Sequence, residues 1–179
     1  MPNVRLAKLS RPKLYNAIAR VRLFQRLDEM REHPAIWVCG PPGAGKTTLL
    51  ASYLSEREIP GIWYQVDSGD GDPATFFYYL RMAAEQASRG KHRPLPLLTP
   101  EFQRDLDSFS RRYFRELFAQ LPEHGLMILD NVQEAPAASA FQSVLEALVE
   151  EIPEGVNVVY ISRTEPPSAF ARYASTGQL

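Results

Sequence analysis

Four short stretches of this chain are almost wholly apolar: Ala35–Cys39, Ile62–Val66, Gly125–Leu129 and Val156–Ile161. None shows the apolar–polar alternation of a strand with one wet face, so each predicts a strand buried on both sides. The stretches between them carry apolar residues at helical spacing. Leu14, Ile18, Val21, Leu23, Phe24 and Leu27 predict a helix that Pro12 can start and that runs through Arg31. Residues 46–57 predict a second, followed by a turn at Ile59-Pro60-Gly61. Asp72-Pro73 is a helix start, a capping carboxylate and then a proline in the first turn. Its helix would bury Phe76, Tyr79, Leu80 and Ala83 and stop at Gly90. Phe102, Leu106, Phe109, Tyr113, Leu117 and Leu121 predict one long amphipathic helix, and Phe141, Val144, Leu145, Leu148 and Val149 another. A short helix over 168–174 follows the break at Pro166-Pro167.

Buried strands alternating with helices imply an α/β fold, a parallel sheet with helices on both faces. Residues 1–33 read as an N-terminal basic arm and helix, and residues 34–179 as the core of a single domain. Ser175–Leu179 carries no stop signal, so the chain is expected to break off after the fourth strand and before a fifth, as a fragment of a longer protein.

The link between the first strand and the next helix carries chemistry. Gly40-Pro41-Pro42-Gly43-Ala44-Gly45-Lys46-Thr47 fits G-x-x-x-x-G-K-[ST], the phosphate-binding P-loop, in its strand–loop–helix context. Glycines let backbone N–H groups turn inward, and those groups with the helix N-terminus make a nest for phosphate oxygens. Pro41 and Pro42 donate no N–H and stiffen the outer curve. Lys46 is placed to reach the β- and γ-phosphates, Thr47 to ligate Mg²⁺, and Thr48 to continue the helix start.

Ligands of such sheets bind outside the carboxyl ends of the strands. The P-loop, Asp67, Asp130 and Arg163 all follow strands there. Asp130 ends an apolar strand as a Walker B acid does and would hold Mg²⁺ from the other side. Asn131, where many P-loop ATPases carry a second acid, cannot accept a proton. Glu134 is the nearby substitute, and hydrolysis is expected to be slow. Arg163, after Ser162, is placed like a γ-phosphate sensor; the alternative is a surface arginine paired with Glu165 or Asp130. Asp67 either orders the site or caps its own turn. No [NT]-K-x-D signature for guanine occurs, which leaves ATP/ADP as the expected nucleotide.

Composition narrows this little: 45% hydrophobic and 23% charged residues are ordinary globular values. Charge is uneven. Residues 1–31 hold eight Lys/Arg against two acids, a balance of +6, which leaves −7 for the rest of a chain of net charge −1. A basic arm can lie on an acidic body, on a nucleotide, or in solvent. The single cysteine, Cys39, excludes an internal disulfide and is expected to be a small buried side chain. His33, His92 and His124 make no zinc spacing with it. No apolar run approaches the roughly 18 residues of a membrane span, and the basic N-terminal stretch lacks the apolar run of a signal peptide, so the expected location is cytoplasmic.

Read together, Lys8-Leu9-Ser10-Arg11-Pro12, the P-loop with Thr47-Thr48-Leu49-Leu50, Trp63-Tyr64-Gln65-Val66-Asp67 with Asp72-Pro73 and Phe76–Leu80, the strand ending in Asp130, and Val158–Arg163 resemble a known pattern. The chain resembles the N-terminal ATPase domain of MalT-like, large LuxR-type transcriptional activators, in the STAND branch of AAA+-related P-loop proteins. The resemblance covers nearly the whole chain, and it implies an ATP/ADP switch that self-associates in the ATP state. It also implies that the residues around Arg11 and Pro12 help enclose the adenine, and that Lys46, Thr47, Asp130 and Arg163 keep the roles given above. Asn131 departs from the pattern. The winged-helix, repeat and DNA-binding parts of such regulators are not represented, so no direct DNA contact is expected from these residues. Three functions follow: a switch with weak Mg²⁺-dependent ATPase activity, a small-molecule phosphotransferase using Arg89, Arg93, Arg104, Arg111 and Arg112 as a lid, or a nucleotide-binding module without turnover.

Overall fold

A computed structural model describes residues 6–15, 18–87, 93–136 and 140–179. The four apolar runs form β1 (Ala35–Cys39), β2 (Gly61–Gln65), β3 (Leu126–Asp130) and β4 (Asn157–Ser162). They pair in parallel in the order β1-β4-β3-β2. The helices are α1 (Val21–Met30), α2 (Lys46–Glu56), α3 (Pro73–Ala87), α4 (Leu106–Phe118), α5 (Phe141–Glu150) and α6 (Ala171–Ser175).

Both faces of the sheet are covered, which is why the strands read as unbroken apolar runs. Side chains alternate between two cores. Ile36, Trp63, Ile128 and Val159 pack with α1 and α2 through Phe24, Leu27, Leu50 and Tyr53. Ile62, Tyr64, Leu129 and Tyr160 pack on the other face with Phe76 of α3, Tyr113 of α4, Leu148 of α5 and Tyr173 of α6. On the outer edge of β1, the Ala35 N–H donates to the Gln178 carbonyl at 3.0 Å.

Several expectations are corrected. The first helix starts at Val21, not near Pro12. Ile18 is 88% exposed and Leu14 is also exposed, so the helical spacing before residue 21 has nothing to pack against, and spacing alone does not sustain a helix in water. The long helix from Phe102 is a 3-10 turn, Phe102–Asp105, and then α4. Its start is fixed where the Asp105 carboxylate accepts the Ser108 N–H at 3.2 Å. Gly61, read as a turn, opens β2. Cys39 is exposed rather than buried, because β1 leaves the layer there to become the P-loop. The Asp72 cap is as expected: its carboxylate accepts the Thr75 N–H at 3.1 Å and the Thr75 hydroxyl at 2.7 Å. The predicted stop at Gly90, and also Arg89 and His92, lie outside the described residues.

Candidate functional site

The P-loop leaves β1 and turns into α2 through two glycines with positive φ, Gly43 at 77° and Gly45 at 78°. Only glycine adopts that region without strain. Gly45 is the N-cap of α2, and no side chain caps that helix. Its first-turn N–H groups therefore remain open to an acceptor, with the positive end of the helix dipole behind them. Lys46 folds back over the loop, its ammonium donating to the Gly40 carbonyl at 2.5 Å and the Pro41 carbonyl at 3.0 Å.

Asp130, at the end of β3, is 2% exposed. The strand order puts β4 between it and the P-loop strand. Thr47, in the first turn of α2, closes that gap, its hydroxyl lying 3.0 and 3.2 Å from the two Asp130 carboxylate oxygens. Burial raises the Asp130 carboxyl above its ordinary range, opposed by the bonds from Thr47 and the Asn131 backbone. No lysine or arginine makes an ion pair with it among the described residues, although the Lys46 charge also favours its ionised form. A buried carboxylate beside a hydroxyl is a hard oxygen donor set, and these two residues fit Mg²⁺.

Asn131 has φ 62° and ψ 41° and starts the 3-10 turn Val132–Glu134. Asparagine, like aspartate, tolerates this left-handed conformation better than most residues. Ser162 is in register with Cys39, so Arg163 leaves β4 level with Gly40, the first residue of the P-loop. Its guanidinium lies 3.5 Å from Glu134, not beside Glu165 or Asp130. Its backbone N–H donates to the Gln133 side chain at 3.1 Å.

The remaining candidates are placed elsewhere. Asp67 caps its own turn, accepting the Gly69 N–H at 2.9 Å, and pairs with Lys8 at 2.8 Å. Arg11 lines a cavity of about 420 Å³ with Leu54, Pro60, Gly61 and Trp63, at the amino end of β2 and away from the P-loop. Arg20 reaches the loop: its guanidinium donates to the Ala44 carbonyl at 3.1 Å. Sequence reasoning missed Arg20 because the predicted helix ran through it. It missed Gln133 because nothing local marks a glutamine as a bridge. Of the arginines considered for a lid, Arg111 pairs with Asp107 at 2.8 Å and Arg112 with Glu116 at 2.8 Å along α4.

Residues 29–166 match the family described as AAA domain. The HTH-type transcriptional regulator MalT of Vibrio cholerae is 29% identical over 169 residues, 92% of this chain and 18% of the relative. That of Vibrio campbellii is 30% identical over the same shares, and that of Yersinia enterocolitica 29% over 97% of this chain and 19% of the relative. The chain thus spans less than a fifth of the length of these relatives. Among solved structures, the Walker-type ATPase paby2304 of Pyrococcus abyssi superposes with a TM-score of 0.55 at 19% identity, covering 86% of this chain and 48% of that one. That likeness shows the P-loop α/β fold.

Proposed function

The chain belongs to the AAA domain family, and from that premise we propose that it is an ATP/ADP-binding switch domain that hydrolyses ATP slowly within a MalT-like, STAND-type regulator of the LuxR family. The observation that carries this reading is the uncapped start of α2 beside the Thr47–Asp130 pair. A phosphate-binding helix end and a metal-binding oxygen pair meet at one point. Lys46 is the cation for the β- and γ-phosphates. Thr47 and Asp130 hold Mg²⁺, which when bound offsets the charge of the phosphate oxygens. Arg163 at the rim reports the γ-phosphate. Gly40, Pro41, Pro42, Gly43, Ala44, Gly45 and Thr48 shape the loop, and Arg11 and Pro12 approach the base only if the arm moves.

A tenfold population shift between ATP and ADP forms takes about 1.4 kcal/mol, no more than the roughly 1.5–3 kcal/mol that one charge-assisted hydrogen bond supplies. The domain passes this shift to the remainder of the regulator and to copies of itself in the ATP state. It makes no DNA contact of its own, and it works in the cytoplasm. Among the described residues no helix is long and apolar enough to cross a membrane.

The test is calorimetry with ATP, ADP and GTP, with and without Mg²⁺. Adenine nucleotides bind, and Lys46→Ala loses that binding by about a hundredfold or more, as removal of a charge-assisted contact to phosphate does. Normal ATP affinity in Lys46→Ala removes the reading.

A further inference from the structure

Asn131 cannot take a proton, and its left-handed backbone fixes where the chain goes next. The carboxylate that follows is Glu134, at the end of the 3-10 turn, whose N–H donates to the Asn131 carbonyl at 2.9 Å. Glu134 is not loose. The Gln133 amide donates to its carboxylate at 3.0 Å. The carbonyl oxygen of the same Gln133 side chain accepts the Arg163 N–H at 3.1 Å. The Arg163 guanidinium faces the same Glu134 oxygen at 3.5 Å. One glutamine thus ties the loop after β3 to the end of β4, and the residue placed as phosphate sensor is paired with the loop's available carboxylate. Both charged side chains are about half exposed, 49% and 44%, so water reaches them and the pair is weak enough to exchange partners.

We propose that Glu134 is the carboxylate that accepts the proton of the attacking water, and that Gln133 and Arg163 hold it back until a γ-phosphate competes for Arg163. The inference rests on the ATP-switch reading. In the step, the water oxygen bonds to the γ-phosphorus as the bond from that phosphorus to the bridging oxygen breaks. ADP leaves with the bonding pair, inorganic phosphate forms, and Glu134 receives the proton and returns it to solvent. Arrival of the γ-phosphate and loss of the Arg163–Glu134 pair are then one event. Turnover is slow because Gln133 still holds Glu134 after Arg163 has moved. Gln133 is a positioning residue and Glu134 the catalytic one.

The experiment measures ATP and ADP affinity by calorimetry, and phosphate release at saturating Mg²⁺-ATP. It uses the full 179-residue chain and its Gln133→Ala, Glu134→Gln and doubly substituted variants, with Glu165→Gln as control. Gln133→Ala raises kcat severalfold with KM little changed. Glu134→Gln lowers kcat by about a hundredfold, the range of a general base. The same variant tightens ATP about two- to fivefold while leaving ADP unchanged, because Arg163 no longer has to abandon a partner. The double variant is as slow as Glu134→Gln, and Glu165→Gln turns over like the parent. Glu134→Gln turning over at the parent rate, Gln133→Ala failing to accelerate, or an unchanged preference between ATP and ADP each overturns the latch. ATP bound with no turnover in any variant overturns the latch and leaves the switch standing, whereas no ATP binding at all removes both.

Discussion

Gly61 has no left-handed backbone, yet a Cβ built on it lies 2.4 Å from the Leu126 carbonyl oxygen of the neighbouring strand. The constraint is close approach, the reason glycine appears at the start of a strand. Gly61→Ala pushes β2 off β3 and costs about 2 kcal/mol, which calorimetry reads as a fall of roughly 4–8 °C in Tm. An unchanged Tm means the strands are not so close. Tyr160 presents the reverse case. Its ring stacks on Trp37 at 5.4 Å and meets Phe170 edge-on, but its hydroxyl is buried without a hydrogen-bond partner among the described residues. Burial pushes that phenol far above its ordinary range, so it stays neutral. Tyr160→Phe keeps the stacking and removes the orphaned group, raising stability by about 1 kcal/mol. A lower Tm for this variant reveals a partner for the hydroxyl.

α1 and α2 meet through Phe24 on Tyr53, with ring centroids 5.7 Å apart, and through one carboxylate at the edge of that contact. Asp28 accepts from the Tyr53 hydroxyl at 2.8 Å and from Arg57 at 2.6 Å. The Arg57 hydrogen bond, with help from Tyr53, lowers the Asp28 carboxyl below its usual range. A lowered folded-state pKa contributes stability above the unfolded value that is lost as pH falls through the folded one. Both charged groups are about 40% exposed, so solvent screening limits the contribution to about 1 kcal/mol or less. Asp28→Asn therefore lowers the urea midpoint at neutral pH, and the gap to the parent narrows as pH falls toward about 4 and below. A gap independent of pH assigns the loss to packing. The pair matters beyond stability because α1 follows directly on Arg20, whose guanidinium lies on the P-loop, and α2 begins at Lys46. The clamp thus fixes two helix starts at the candidate site relative to one another.

Across the whole molecule the N-terminal arm is held through Leu9, buried in the core, and through the ammonium of Lys8. Lys8 reaches Asp67 at 2.8 Å and Asp70 at 2.8 Å, and lies over the rings of Tyr64 and Tyr79 at 5.1 Å each. Asp70 is fully buried and also accepts the Tyr64 hydroxyl at 2.6 Å. Burial first, and then Asp70, pushes that phenol up, so it acts only as a donor. Lys8→Met leaves Asp70 buried without its cation, at a cost of about 3 kcal/mol or more. Adding Asp70→Asn recovers much of the loss in denaturant midpoint, and failure to recover it places the cost elsewhere in the arm. The charge asymmetry along the chain pointed toward such a contact, but not to Lys8. The P-loop and Asp130 were legible because each is contiguous: a spacing of glycines before Lys-Thr, and an apolar run with an acid at its end. The alternation of strands and helices was legible for the same reason, since burial on both faces leaves unbroken apolar runs and helical packing leaves a 3.6-residue period. Strand order, the meeting of Thr47 with Asp130 across 83 residues of chain, Arg20 on the loop, and Gln133 between Glu134 and Arg163 were decided only by the tertiary structure. Local patterning fixes which backbone conformation a segment takes; which distant side chain then lies within about 3 Å of another depends on how the segments dock, and no period in the sequence records that.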